Sequence, residues 1–194
     1  EAGGFVSANI ISSCSGKVKS IEKRMTATGA RVQSIVIEND GEFRTAEGIG
    51  TEVDYKTLTK EEILAKIKDA GIVGLGGACF PTHVKLTPPP TAKAEVLIIN
   101  GVECEPYLTC DHRLMLEHAE EIFIGISIIM KAINVNRAIV GIECNKKDAI
   151  EHFRNIATRH FGIEICPLKM HYPQGGEKQL IDATIGRQVP SGAL

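Results

Sequence analysis

Residues able to do chemistry concentrate in three stretches of this chain. The first is Gly74-Leu75-Gly76-Gly77-Ala78-Cys79-Phe80-Pro81-Thr82-His83-Val84-Lys85. Its three glycines within four residues let backbone N–H groups approach a ligand with no Cβ in the way, and Lys85 adds a cation nearby. That combination suits a phosphate or a flat ring system, although glycine pairs also make ordinary turns. The second stretch is Asn100-Gly101-Val102-Glu103-Cys104-Glu105-Pro106-Tyr107, and the third is Met170-His171-Tyr172-Pro173-Gln174-Gly175-Gly176-Glu177. Both gather amide, carboxylate, aromatic and glycine groups, and a shorter Glu143-Cys144-Asn145 segment joins them.

Several of these residues keep two readings. Cys79, in an open glycine loop, is a candidate redox-active thiol or a small space-filler. Cys104, Cys110, Cys144 and Cys166 read as packing residues, and with no C-x-x-C pair and no zinc-type spacing no metal site is expected. His83 follows Cys79 by four residues, but Pro81 between them spoils the geometry of a thiol–imidazole pair. Glu103 and Glu105 point to opposite sides of an extended backbone, which disfavours a paired-carboxylate hydrolase. Tyr172 reads as a ring-stacking aromatic, given the space that Gly175 and Gly176 open, or as a core residue. The Lys146-Lys147 pair reads as a solvated helix start.

The scaffold that must hold these groups is legible from periodicity. Phe5 to Ile11, Lys17 to Glu22 and Arg31 to Glu38 carry β-type signals separated by glycine turns, predicting a small β-rich segment over 1–45. A linker over 46–58 leads to Thr59, which can cap a helix with Glu62 closing a capping box; Ile63, Leu64, Ile67 and Ala70 share one face and Gly71 ends it. The glycine loop therefore follows a helix, and Cys79 takes the third position of G-x-G-x-x-G, so the dinucleotide fingerprint is rejected. Three strand–helix units come next: strands at 95–99, 137–142 and 164–168, and helices at Asp111 to Ala132, after Asn145 as cap to His160, and at Gly176 to Ile185. The expected class is α/β, a parallel Rossmann-like sheet flanked by helices and preceded by the β-rich segment. In such sheets ligands bind beyond the carboxyl ends of the strands, where the polar stretches fall.

Composition narrows function further. The chain has 194 residues, 43% hydrophobic and 24% charged, with a formal charge of -2, so it lacks the basic field of a nucleic-acid binder. No apolar run approaches the ~20 residues of a membrane helix. The six cysteines read as free reduced thiols, since nothing resembles a signal peptide. Lacking an initial Met and stopping at Pro190-Ser191-Gly192-Ala193-Leu194, the chain reads as a fragment.

Taken together, Gly74-x-Gly76-Gly77-x-x-Phe80-Pro81-Thr82-x-x-Lys85, Asn100-x-x-Glu103-x-Glu105-Pro106 and Tyr172-Pro173-Gln174-Gly175-x-Glu177-Lys178 resemble the C subunit of the Rnf electron transport complex. More distantly they resemble the flavin subunit of respiratory complex I. Asp111-His112-Arg113-Leu114-Met115-Leu116-Glu117 and Val189-Pro190-Ser191-Gly192 are also close to the Rnf protein. The resemblance implies an FMN-dependent oxidoreductase that exchanges hydride with NAD(H) and passes electrons to iron–sulfur clusters. Within it, Gly74, Gly76, Gly77, Lys85, Asn100, Glu103 and Gly175 would hold FMN. Phe80, Glu105, Tyr172 and Glu177 would face the nicotinamide nucleotide, with Glu105 and Cys79 as the catalytic candidates.

The resemblance also places 1–45 at the end of a β-rich, barrel-sandwich-like N-terminal domain. It makes 59–194 an FMN/NADH-binding domain truncated at its C-terminal end, with 4Fe-4S clusters and a last flavin contact beyond Leu194. Partners would be other electron-transfer subunits or a reductase, and the location cytoplasmic or peripheral on the inner face of the membrane, without membrane insertion. Leu75 and Val102 depart from the complex I pattern, which has an arginine and an acid there. Cys79 replaces a glycine and is similar to Rnf-C-like proteins associated with proline reductase in amino-acid-fermenting anaerobes, some carrying selenocysteine at that place. The rival functions are a docking module that keeps the fold without flavin and a cysteine-dependent transferase using Cys79.

Overall fold

The computed structural model describes residues 3–75 and 78–192. Two strands, β1 (Gly16–Met25) and β2 (Arg31–Asn39), pair antiparallel as a hairpin. Residues 5–11, expected as a strand, are irregular. Asn9 in that segment donates its side-chain amide to the carbonyls of Lys68 and Asp69, at 3.4 and 3.2 Å. The segment is thus held against a helix end and pairs with no strand among the described residues.

Helix α1 (Lys60–Asp69) begins as its sequence dictates: Thr59 Oγ1 accepts from Glu62 N at 3.2 Å and Thr59 N donates to Glu62 Oε2 at 2.7 Å, a complete capping box. Ile63 is its buried anchor, and Gly71 follows with φ +65°. A four-residue helix, α2 (Thr82–Lys85), comes after the glycine loop.

The second sheet holds β3 (Leu97–Gly101), β4 (Ala138–Glu143) and β5 (Ile163–Leu168), parallel and adjacent in that order, as the strand–helix alternation requires. All of β4 is buried, because it has a neighbour on each side and helices on both faces. One face packs on α3 (Cys110–Glu117), α4 (Ala119–Ile133) and α5 (Lys147–Ala157). Phe123 and Phe153 meet there edge to face, 5.1 Å apart, with Ile126, Val140 and Ile142 around them. The other face packs on α6 (Glu177–Ile185) through Leu180, Val102 and Leu168. Gly141 lies on that side, where a Cβ would come 2.8 Å from Leu180 Cδ1, so glycine is what lets α6 approach the sheet.

Two expectations need correcting. The single helix predicted from 111 to 132 is two helices, separated at His118, whose φ of −128° and ψ of 33° leave the helical region. No glycine or proline marks the break; it lets both pieces pack on α5. Asn145 does not cap α5: a Lys146 N–H to Glu143 C=O turn of 3.0 Å puts Lys146 at the cap position, and Asn145 turns its amide to Met170 Sδ, 3.2 Å away. No helix among the described residues is long and apolar enough to cross a membrane.

Candidate functional site

Because β3, β4 and β5 run parallel, their carboxyl ends share one edge, and the segments that leave it are the polar stretches after each strand. Asn100 ties two of them together. Its Nδ2 donates to Gly175 O at 2.9 Å while its Oδ1 accepts from Val102 N at 3.2 Å. Gly175 N–H in turn points at Cys104 Sγ, 3.4 Å away, and a Cβ on Gly175 would meet that sulfur at 3.2 Å, tight enough that the Cys104 side chain would have to give way slightly. Beside this tie opens a cleft of 440 Å³ whose polar lining is Lys85, Asn100, Gly175 and Glu177 and whose apolar wall includes Val96, Ile98, Leu180 and Ile181. Its size falls in the range of about 300–1,000 Å³ typical of small-molecule sites.

The glycine loop is closed at its base. Val73 and Pro81 form an antiparallel bridge, Gly74 N–H donates to Phe80 C=O at 2.9 Å, and Thr82 N–H to Ile72 C=O at 3.1 Å. Directly after that closure α2 carries Lys85 to the cleft. Gly76 and Gly77 lie outside the described residues. Cys79 is exposed with φ +50°, Phe80 is half-exposed, and Leu75 stands in solvent. The Nδ1 of His83 is buried with no hydrogen-bond partner among the described residues, and no bond joins it to Cys79 there.

Glu103 turns inward. Its Oε1 accepts the Asp111 N–H at 3.0 Å with the Cys110 thiol 3.7 Å away. Its Oε2 lies 3.1 Å from Lys146 Nζ, an ion pair that is its one polar contact among the described residues. Burial pushes this carboxyl up, but the Asp111 N–H and the Lys146 ammonium prevail and hold it below its ordinary value. The neighbouring acid, Glu143, goes the other way. Burial raises it first, Lys146 draws it down, Glu103 raises it again and His171 draws it down, leaving it above its ordinary value. Glu103, Cys110 and Asp111 bring potential metal ligands within 4.8 Å of one another, yet the Glu103 charge is already matched by Lys146.

Of the residues singled out from sequence, Lys85, Asn100, Gly175 and Glu177 meet at the cleft, and Gly74 and Phe80 close the loop that leads to it. Glu105 and Tyr172 are exposed and, like Phe80 and Cys79, do not line it. Glu103 and Glu105 do face opposite ways, one buried and one in solvent. Cys104 and Cys166 pack as expected, the Cys166 thiol pushed up by burial and by Glu164; Cys110 and Cys144 are exposed instead, which corrects their assignment to packing.

Sequence reasoning counts Glu143 and Gln174 among the rim segments and misses that both are buried and that Lys146 is largely covered. A helix start places Lys146 in solvent, but its side chain is 12% exposed. Glu143 and Gln174 are buried, with Oε1 and Nε2 unpaired among the described residues. The signal that could have found Glu143 is its place: an acid closing a strand that is apolar on both faces has nowhere else to go.

A family described as the Nuo51 FMN-binding domain matches residues 67–194, and one described as the RnfC Barrel sandwich hybrid domain matches residues 1–42. The C subunit of the proton-translocating ferredoxin:NAD(+) oxidoreductase complex of Clostridium ljungdahlii is 50% identical over 190 residues, covering 98% of this chain and 41% of that protein. The Na(+)-translocating counterpart of Acetobacterium woodii is 46% identical over 194 residues, 100% of this chain and 44% of that one. Among solved structures, the NAD+-reducing NiFe hydrogenase in its air-oxidized state is similar at a TM-score of 0.56 and 28% identity, over 63% of this chain and 23% of that one. The chain thus spans less than half the length of these curated relatives.

Proposed function

The chain belongs to the Nuo51 FMN-binding domain family, and from that premise we propose that it is the flavin- and nicotinamide-binding part of the C subunit of an ion-translocating oxidoreductase. On this reading 1–45 closes a β-rich unit, 46–58 links it, and 59–194 binds the cofactor. The whole protein docks with other electron-transfer subunits at the inner face of a membrane and passes electrons to iron–sulfur centres outside residues 1–194. The relatives' names, as members of ferredoxin:NAD(+) oxidoreductase complexes, support this placement.

The observation that carries the reading is the cleft at the sheet edge, where one cation, one amide and the Glu177 carboxylate meet an apolar wall. That lining fits FMN: a charge for the phosphate, a directed donor and acceptor for the polar edge, and apolar surface for the rings. Gly74 adds to the fit. Its φ is not in the left-handed region and, among the described residues, a Cβ there would meet nothing closer than Phe80 O at 3.8 Å, so those residues do not demand glycine and leave open space for a ligand. Lys85, Asn100, Gly175 and the glycine loop would hold FMN, and FMN when bound supplies hydride acceptance and single-electron release. Phe80 and Tyr172, both exposed, offer faces on which a nicotinamide nucleotide can stack, and Glu177 stands at the start of α6, close to Tyr172 in sequence.

Glu105 has the role to test. It sits in solvent at the rim, its direction restrained by Pro106, and a carboxylate there can orient a carboxamide and favour the positive charge that develops as hydride leaves NADH. Glu105→Gln should keep FMN bound but slow reduction of the flavin by NADH, measured by stopped flow, by on the order of a hundredfold. Unchanged reduction, or loss of the flavin itself, would contradict that role.

A further inference from the structure

We propose that Lys146 is a positioning residue of the cleft: its ammonium, on a side chain only 12% exposed, fixes through Glu103 the stretch from Asn100 at the end of β3 to Glu105, and Glu143 competes for it. The inference rests on the FMN reading above and deepens it. A lysine at a helix start ordinarily stands in water, and burying its charge persists only where a partner compensates it. Here the partner is Glu103, whose side chain is 1% exposed and whose Oε2 lies 3.1 Å from Lys146 Nζ. The other oxygen of Glu103 takes the Asp111 N–H at 3.0 Å. One carboxylate therefore joins the loop after β3, the start of α3 and the start of α5. Lys146 does not line the cleft, so it acts through Glu103 and the loop that continues β3, the strand whose end presents Asn100 to Gly175.

Glu143 gives the arrangement a second state. It ends β4 fully buried, with Oε1 unpaired among the described residues; the charges that act on it are those of Lys146 at the cap of α5, whose backbone N–H bonds the Glu143 carbonyl at 3.0 Å, Glu103 in the loop after β3 and His171 in the segment after β5. Two buried carboxylates cannot both be compensated by one ammonium. While Glu143 holds a proton, Lys146 serves Glu103; when Glu143 loses it to solvent, the ammonium is shared and the tie to the loop loosens. The proton is exchanged with water and no other co-reactant is needed.

The test is FMN affinity, followed by quenching of flavin fluorescence from about pH 5 to 9, in wild type and variants. Lys146→Met leaves Glu103 buried without a cation and should weaken FMN at least about tenfold. The double variant Lys146→Met/Glu103→Gln, neutral at both places, should return to within about threefold of wild type, the margin left by imperfect packing. Wild-type affinity should fall as pH rises, and Glu143→Gln should abolish that fall. A double variant as weak as Lys146→Met, or identical pH profiles for wild type and Glu143→Gln, would overturn the proposal. If Lys146→Met alone does not fold, the double variant and Glu143→Gln still decide it. A wild-type protein that binds no FMN at any pH overturns the reading of the cleft instead, and the tie is then read from carboxyl ¹³C titrations of the protein. Glu103 should titrate below Glu143 in wild type and move up in Lys146→Arg/Glu143→Gln less than in Lys146→Met; a Glu103 titration unmoved by Lys146→Met overturns the tie.

Discussion

The hairpin and the parallel sheet draw on similar β-branched residues and end in different states. β1 and β2 present Val18, Ile21, Met25, Val32 and Ile35 at exposures between 43% and 66%, whereas all of β4 is buried. The difference lies in what surrounds them. β4 has parallel neighbours on both sides and a helical layer on each face, while each hairpin strand has a single partner and no helix packed across it among the described residues. A strand's apolar content thus says that it wants a layer, and the connections that follow decide whether the same chain provides one.

The contrast can be broken first at the two cores. Phe153→Ala removes a ring that is 1% exposed and packed on Phe123, and should cost about 3–5 kcal/mol. In thermal denaturation that is a Tm loss on the order of 10 °C for a chain of this size. Ile21→Ala in the hairpin, 62% exposed, should stay within about 0.5 kcal/mol. Equal losses would show that the hairpin is as much a core as the sheet.

A smaller effect sharpens the comparison by pH, because the sheet edge buries acids and the hairpin does not. Glu143 is raised above its ordinary value of 4.5, so the folded state binds more protons than the unfolded one between that value and its folded pKa, and stability falls as pH rises through the window. Glu103 is lowered, so its contribution is present above 4.5 and is lost as pH falls through its folded pKa. Glu143→Gln should therefore equal wild type near pH 4 and exceed it in urea midpoint near pH 7, roughly as linkage requires. No gain on going to neutral pH would mean that Glu143 is ionised at no cost. Thr59→Ala, which removes the capping box of α1, should cost about 1 kcal/mol in the same assay; no change would mean that α1 is held by its packing through Ile63.

What is legible in the sequence follows the same division. The order and parallel pairing of β3, β4 and β5, the capping box at Thr59 and the opposite facing of Glu103 and Glu105 all come from local patterns that packing reinforces. The resemblance to the Rnf family is borne out by the RnfC barrel sandwich hybrid match and by the relatives' names. What stays hidden depends on contacts distant in sequence. The strand expected at 5–11 is held by α1 carbonyls, with Asp69 60 residues away. The break at His118 answers to α5, and Lys146 is largely covered because Glu103 is there to meet it. Exposed Tyr107, with φ +69°, is equally unmarked by its sequence.

The central claim is that the cleft between Lys85, Asn100 and Gly175 binds FMN, and a flavin titration followed by visible absorption and fluorescence tests it most directly. The protein carried past Leu194 should bind FMN tightly, residues 1–194 alone more weakly, by roughly a hundredfold if contacts worth ~3 kcal/mol lie beyond the end. Lys85→Met and Asn100→Ala should each weaken binding further. A protein that stays colourless with added FMN in both lengths, or that binds it equally well after both substitutions, would contradict the account and leave a docking module with the same fold.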